Sequence, residues 1–203
     1  MTSRPVLLFA HGSGAGQGHP FMQAWRGWLA TFCDVETFEY DYMQAGKSFP
    51  DKMPRLIARH REVLEEVAPK YPQQKLFFIG KSMGSRVGCH LANELPDADA
   101  PAGLICLGYP LKGRTAVRDE VLRELRRPIL FVQGTRDPLC PLPLLHEVLP
   151  TLSSPHELHV VDGGDHSLKL RRKDERELAT TQEDSDRAAV AAVRRFVERP
   201  WTA

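Results

Sequence analysis

Six apolar runs of strand length, separated by stretches long enough for helices, constrain this chain more than any other feature. They are Val6 to Ala10, Val35 to Tyr40, Lys75 to Ile79, Gly103 to Leu107, Ile129 to Gln133 and Glu157 to Val161. Several are apolar at consecutive positions, so both faces of the strand must be covered. That is the situation of a central strand in a parallel sheet with helices on either side. The intervening segments carry helical periodicity at Pro20 to Thr31, Lys52 to Ala68, Ser82 to Leu95, Val117 to Leu125, Leu142 to Leu149 and Ser185 to Glu198. The expected fold class is therefore α/β: an open, mostly parallel sheet of about six strands with helices on both faces.

With 203 residues, 42% of them hydrophobic, the chain can bury one full core, and a single domain over 1–203 is expected. Lys and Arg number 27 against 26 Asp and Glu. No global field then favours nucleic acid or an anionic membrane as a partner. The first apolar run has five residues and ends at His11-Gly12, too short for a signal segment or a membrane span. Cys33, Cys89, Cys106 and Cys140 have no CxxC spacing. This fits free thiols in a reducing cytoplasm, with neither a metal nor a cofactor expected.

The most chemically specific segment is Phe77-Phe78-Ile79-Gly80-Lys81-Ser82-Met83-Gly84-Ser85-Arg86. It places Gly-x-Ser-x-Gly between a strand and a helix, the context in which that pattern forms a nucleophile elbow. A serine there sits on a strained turn that raises its hydroxyl above the sheet, and Gly80 and Gly84 leave room for crowded backbone. Gly80-Lys81-Ser82 also looks like the end of a phosphate-binding loop. The glycine that loop requires five positions before Gly80 is Lys75, inside a strand, so the reading fails.

Two later strand ends complete the pattern. Asp137, in Gly134-Thr135-Arg136-Asp137-Pro138, follows a late strand where an orienting acid belongs, and His166, in Gly163-Gly164-Asp165-His166, follows the last. Ser82, Asp137 and His166 thus occur in the order nucleophile, acid, base. Asp162 and Asp165 are rival acids, less suited because the orienting carboxylate normally approaches from another loop. The first strand ends in His11-Gly12-Ser13-Gly14-Ala15-Gly16, whose Ser13 or Gly14 amide can join that of Met83 in an oxyanion hole. As a dinucleotide-binding turn the loop fails, because Gln17 stands where its third glycine belongs.

With these residues in place the chain resembles the α/β-hydrolase fold family, in its small, cap-less, dienelactone-hydrolase-like form, with Ser82 where dienelactone hydrolases carry cysteine. The segment from Gly80 to Arg86 is also similar to a branch that includes a testis-expressed protein and a subunit of a chromatin-modifying complex. The resemblance implies a reduced sheet without a lid between Leu107 and Ile129. It also implies an ester or thioester hydrolase acting on a small-molecule acyl substrate through Ser82, His166 and Asp137. Its second branch keeps a catalytically silent interaction module as the alternative. Phe21, Met22, Tyr42, Met43, Tyr109 and Leu139 are candidates to line the site. Lys81 and Arg86 read as solvated charges, and the charge-dense stretch from Lys169 to Asp186 as a wet loop with a helical turn.

Overall fold

The apolar runs form six strands, all parallel, in the order β2-β1-β3-β4-β5-β6. The computed structural model describes residues 4–201. In chain order the elements are β1 (Val6–Ala10), α1 (Pro20–Leu29), β2 (Asp34–Thr37), α2 (Asp41–Gln44), α3 (Met53–Val67) and β3 (Leu76–Lys81). There follow α4 (Met83–Glu94), β4 (Leu104–Leu107), α5 (Glu120–Arg123), β5 (Ile129–Gly134), α6 (Leu142–Val148), β6 (His156–Val161), α7 (Arg172–Glu177) and α8 (Gln182–Glu198).

Side-chain alternation sorts each central strand between two cores. Leu7, Phe9, Phe77, Ile79, Ile105, Leu107, Leu130 and Val132 pack with Met22, Trp25 and Leu29 of α1 and with Val193 and Phe196 of α8. The opposite set, Val6, Leu8, Phe78, Leu104, Cys106, Ile129 and Phe131, packs with residues of α3, α4, α5 and α6. Both faces are covered, which is why these runs lack a polar side.

Three local differences from the sequence reading have physical causes. β2 stops pairing at Phe9↔Thr37, and Phe38 and Tyr40 leave the sheet to pack their rings on each other 5.0 Å apart. The following turn, α2, is too short to show a hydrophobic period. An antiparallel bridge between Lys112 and Val117 takes Val117 out of the expected fifth helix, which shrinks to one turn, α5. Between β4 and β5 there is therefore no lid.

β1 separates β2 from β3, so the chain leaves β1 by α1 on one face and reaches β3 by α3 on the other. The crevice at the carboxyl ends of β1 and β3 is the switch point where such sheets gather ligands. No helix among the described residues is long and apolar enough to cross a membrane.

Candidate active site

Ser82 joins β3 to α4 with φ 50° and ψ −111°, a left-handed conformation that an L-residue adopts only when its surroundings enforce it. The enforcement is visible. The Ser82 amide donates to the Leu107 carbonyl at 3.1 Å, and the Ser85 hydroxyl donates to the Gly80 carbonyl at 2.9 Å. A Cβ on Gly80 would lie 2.2 Å from the Ser85 nitrogen, and one on Gly84 2.6 Å from the Ala10 carbonyl oxygen. Both glycines are required by close backbone packing.

The structure brings Ser82, His166 and Asp137 together. His166 Nε2 lies 2.8 Å from Ser82 Oγ, and His166 Nδ1 lies 2.8 Å from Asp137 Oδ2. Asp137 is buried, and it also accepts the Gln133 side-chain amide at 2.7 Å and the Leu139 main-chain N–H at 2.8 Å. Burial alone would raise its pKa. The hydrogen bonds from His166, Gln133 and Leu139 outweigh burial and hold the carboxyl below its ordinary range. An ionised Asp137 accepts from Nδ1–H, which leaves Nε2 free to accept from the serine hydroxyl. The rival acids serve elsewhere: Asp165 Oδ1 accepts the amides of Ser167 at 2.7 Å and Lys169 at 3.0 Å, turning the loop that carries His166, and Asp162 is exposed.

The loop after β1 is shaped from beneath by His11. This histidine is fully buried; Nδ1–H donates to the Gly12 carbonyl at 2.7 Å and Nε2 accepts the Tyr40 amide at 3.1 Å. Burial lowers its pKa, against the opposing pull of the Gly12 carbonyl and of Glu39, whose Oε2 lies 3.0 Å from Nε2. The Tyr42 hydroxyl donates to the Ser13 carbonyl at 3.1 Å. The described chain contains no cis peptide bond. With the Gly12 and Ser13 carbonyls turned inward, the Ser13 and Gly14 N–H groups point the opposite way.

Lys81 departs from the sequence reading as a solvated charge. It is only 7% exposed, its ammonium donates to the His166 main-chain carbonyl, and it lies 5.5 Å from the centre of the Phe21 ring. Burial brings its pKa down to about 8, against the opposing pull of Asp137 and Asp165. Gly108, at φ 67°, makes the passage possible, since a Cβ there would meet the His166 carbonyl oxygen at 2.8 Å and Lys81 Nζ at 3.3 Å.

The charge-dense stretch is also less wet than its composition suggests. Asp174 on α7 is buried and accepts from Arg136 at 2.8 Å and from Arg171 at 2.7 and 2.8 Å. Arg136 also donates to the Gly163 carbonyl at 2.8 Å, tying the Asp137 loop to the His166 loop. The pattern of charges gave no sign of this pairing.

A cleft of about 370 Å³ opens over Ser82 and His166. Phe21, Met22 and Leu139 line it, with His19 and Lys81. Tyr42 and Tyr109, also expected there, are fully buried, and Met43 packs against the core. Cys33, Cys89, Cys106 and Cys140 are all buried free thiols.

The family described as "Alpha/beta hydrolase domain" matches residues 3–198. Among solved structures, a serine hydrolase without a lid from Xanthomonas campestris is similar at TM-score 0.72 and 21% identity, covering 98% of this chain and 85% of its own. An alpha-beta serine hydrolase homologue from Coxiella burnetii gives TM-score 0.70 at 18% identity, covering 92% and 86%. A dienelactone hydrolase from Anabaena variabilis gives 0.65 at 18%, covering 91% and 85%. These likenesses speak to the fold alone. With almost its whole length matched by the family, and with a lidless parallel sheet that turns sharply at Ser82, this chain belongs to the alpha/beta hydrolase domain family.

Proposed function

We propose that this protein is a serine hydrolase that cleaves an ester or thioester of a small acyl substrate through an acyl-enzyme. The observation that carries the reading is the continuous hydrogen-bonded chain Ser82–His166–Asp137, with both links at 2.8 Å, on a serine held at φ 50°. His166 Nε2 takes the hydroxyl proton as Ser82 Oγ attacks the carbonyl carbon, and Asp137 steadies the imidazolium that forms. The tetrahedral oxyanion is met by the Met83 amide and by that of Ser13 or Gly14. On collapse His166 returns the proton to the departing alcohol or thiol. A water molecule, deprotonated by the same imidazole, then releases the acid and restores Ser82.

The open cleft and the absence of a lid suit a small acyl group with little enclosure. The test pairs fluorophosphonate labelling with hydrolysis of short p-nitrophenyl esters. The wild type is expected to label and turn over. Ser82→Ala should lose labelling, and His166→Ala should lose kcat by a factor on the order of 10³ or more. Unlabelled wild-type protein with ester hydrolysis equal to that of His166→Ala would instead indicate an interaction module.

A further inference from the structure

The helix that starts beside Ser82 carries a cation that the cleft does not use. Arg86, one turn into α4, faces a second cavity of about 390 Å³, between α4 and the loop folded back by the Lys112–Val117 bridge. Arg86, His90, Arg114, Thr115, Arg118 and Glu120 line it, and it shares no lining residue with the cleft over Ser82. Arg86 Nε and His90 Nε2 are both buried without a hydrogen-bond partner among the described residues. Arg86 as a whole is half-buried, but a polar N–H shut off from both water and protein is costly, and native structures seldom tolerate one.

The surroundings sharpen the deficit. Three guanidiniums line the cavity, Arg86 and Arg118 half-buried and Arg114 exposed, against one exposed carboxylate, Glu120; Arg118 Nη1 donates to the Pro110 carbonyl at 3.4 Å, which leaves its other N–H groups for a ligand. Burial and the nearby Arg118 lower the pKa of Arg86, with Tyr109 acting against them. Burial and Arg86 lower that of His90, while Glu94, Glu124 and Glu120 act against them. A carboxylate would satisfy one arginine fork. A tetrahedral dianion accepts from several directions at once, which is what guanidiniums contributed by a helix and a facing loop can supply. The volume is in the range of small-ligand sites and exceeds that of a bare ion.

We infer that this cavity binds the phosphate group of a phosphorylated small molecule, with Arg86 as its principal ligand, Arg118 and Arg114 closing from the loop, and His90 and Thr115 as further donors. The inference does not depend on Ser82 being a nucleophile.

The test is a titration of full-length protein with inorganic phosphate, glycerol 3-phosphate and acetate at matched ionic strength, read by calorimetry and by amide NMR. Both phosphates should saturate, compete with each other and shift the amides of Gly113 to Arg118, while acetate does not. Arg86→Met should weaken both by about tenfold or more, the loss expected of one charge-assisted pair. Arg118→Gln provides the second arm if Arg86→Met fails to fold, and Arg187→Gln, far from the cavity, should bind as wild type. Equal shifts with acetate, absence of saturation, or unchanged affinity in folded Arg86→Met and Arg118→Gln would overturn the inference.

Discussion

The Lys81 ammonium donates to the main-chain carbonyl of His166, so the residue before the elbow serine holds the loop that carries the imidazole. β3 and the loop carrying His166 are thereby joined by a side chain as well as by the Ser82–His166 hydrogen bond.

The burial of Lys81 has a signature in the pH dependence of stability. The pKa of Lys81 falls from 10.5 to about 8 in the folded protein, so between those values the unfolded chain binds more protons and stability attributable to Lys81 rises with pH. Below pH 8 the lysine is charged in both states and the full cost of burying it is felt, roughly 3 kcal/mol for a shift of this size. Buried thiols and phenols such as Cys140 and Tyr42, both pushed up to about 12, act oppositely in the same range. The comparison with Lys81→Met isolates the lysine: denaturant unfolding should show the variant losing ground to wild type as pH rises from 8 to 10.5. A difference that stays constant with pH would count against a buried, charged Lys81.

Asp137→Asn keeps the size of the side chain but replaces a carboxylate oxygen facing Nδ1 with a group that can donate, favouring the wrong tautomer. The expected result is a fall in kcat of about 10⁴ with a folded, native-like protein, measured on the ester that wild type turns over best. Loss of less than tenfold would remove Asp137 from its assigned role.

Asp174 links Arg136 and Arg171 while Arg136 reaches the Gly163 carbonyl. Asp174→Ala should therefore lower Tm and, by loosening the loops of Asp137 and His166, reduce kcat by about tenfold to a hundredfold with KM little changed. Thermal melts and steady-state kinetics on the same preparation check both.

Gly84→Ala would push a methyl group to within 2.6 Å of the Ala10 carbonyl oxygen and 2.7 Å of that of His11. Backbone cannot yield as a side-chain tip can. A loss of at least about 3 kcal/mol is expected, seen as an early urea midpoint or as insoluble expression.

Ser82, Asp137 and His166 were readable because each obeys a local rule: a strand end, a turn and the right side chain. The strands were readable for a similar reason, since burial on both faces leaves its mark at every position. Lys81 was not. Its course depends on Gly108 having no side chain and on the His166 loop lying beyond it, neither of which a neighbouring residue announces. Asp174 failed for range, because its partner Arg136 is 38 positions away and a run of charges looks the same whether paired or hydrated. Tyr42 was misplaced because α2 turns it under the Ser13 loop, and one helical turn is too brief to be seen as a period.

The placing of the last strand at the sheet edge gives the sheet a timetable during synthesis. β6 pairs only with β5, and His166 lies just beyond it, so a ribosome-bound chain can expose Ser82 and Asp137 while their common partner is still in the exit tunnel. The contacts that hold Ser82 at positive φ reach back to β1 and across to Leu107, long before the imidazole arrives. On the proposed mechanism, the nascent hydrolase is chemically silent until its last strand docks, and the onset of reactivity toward a fluorophosphonate dates the completion of the sheet.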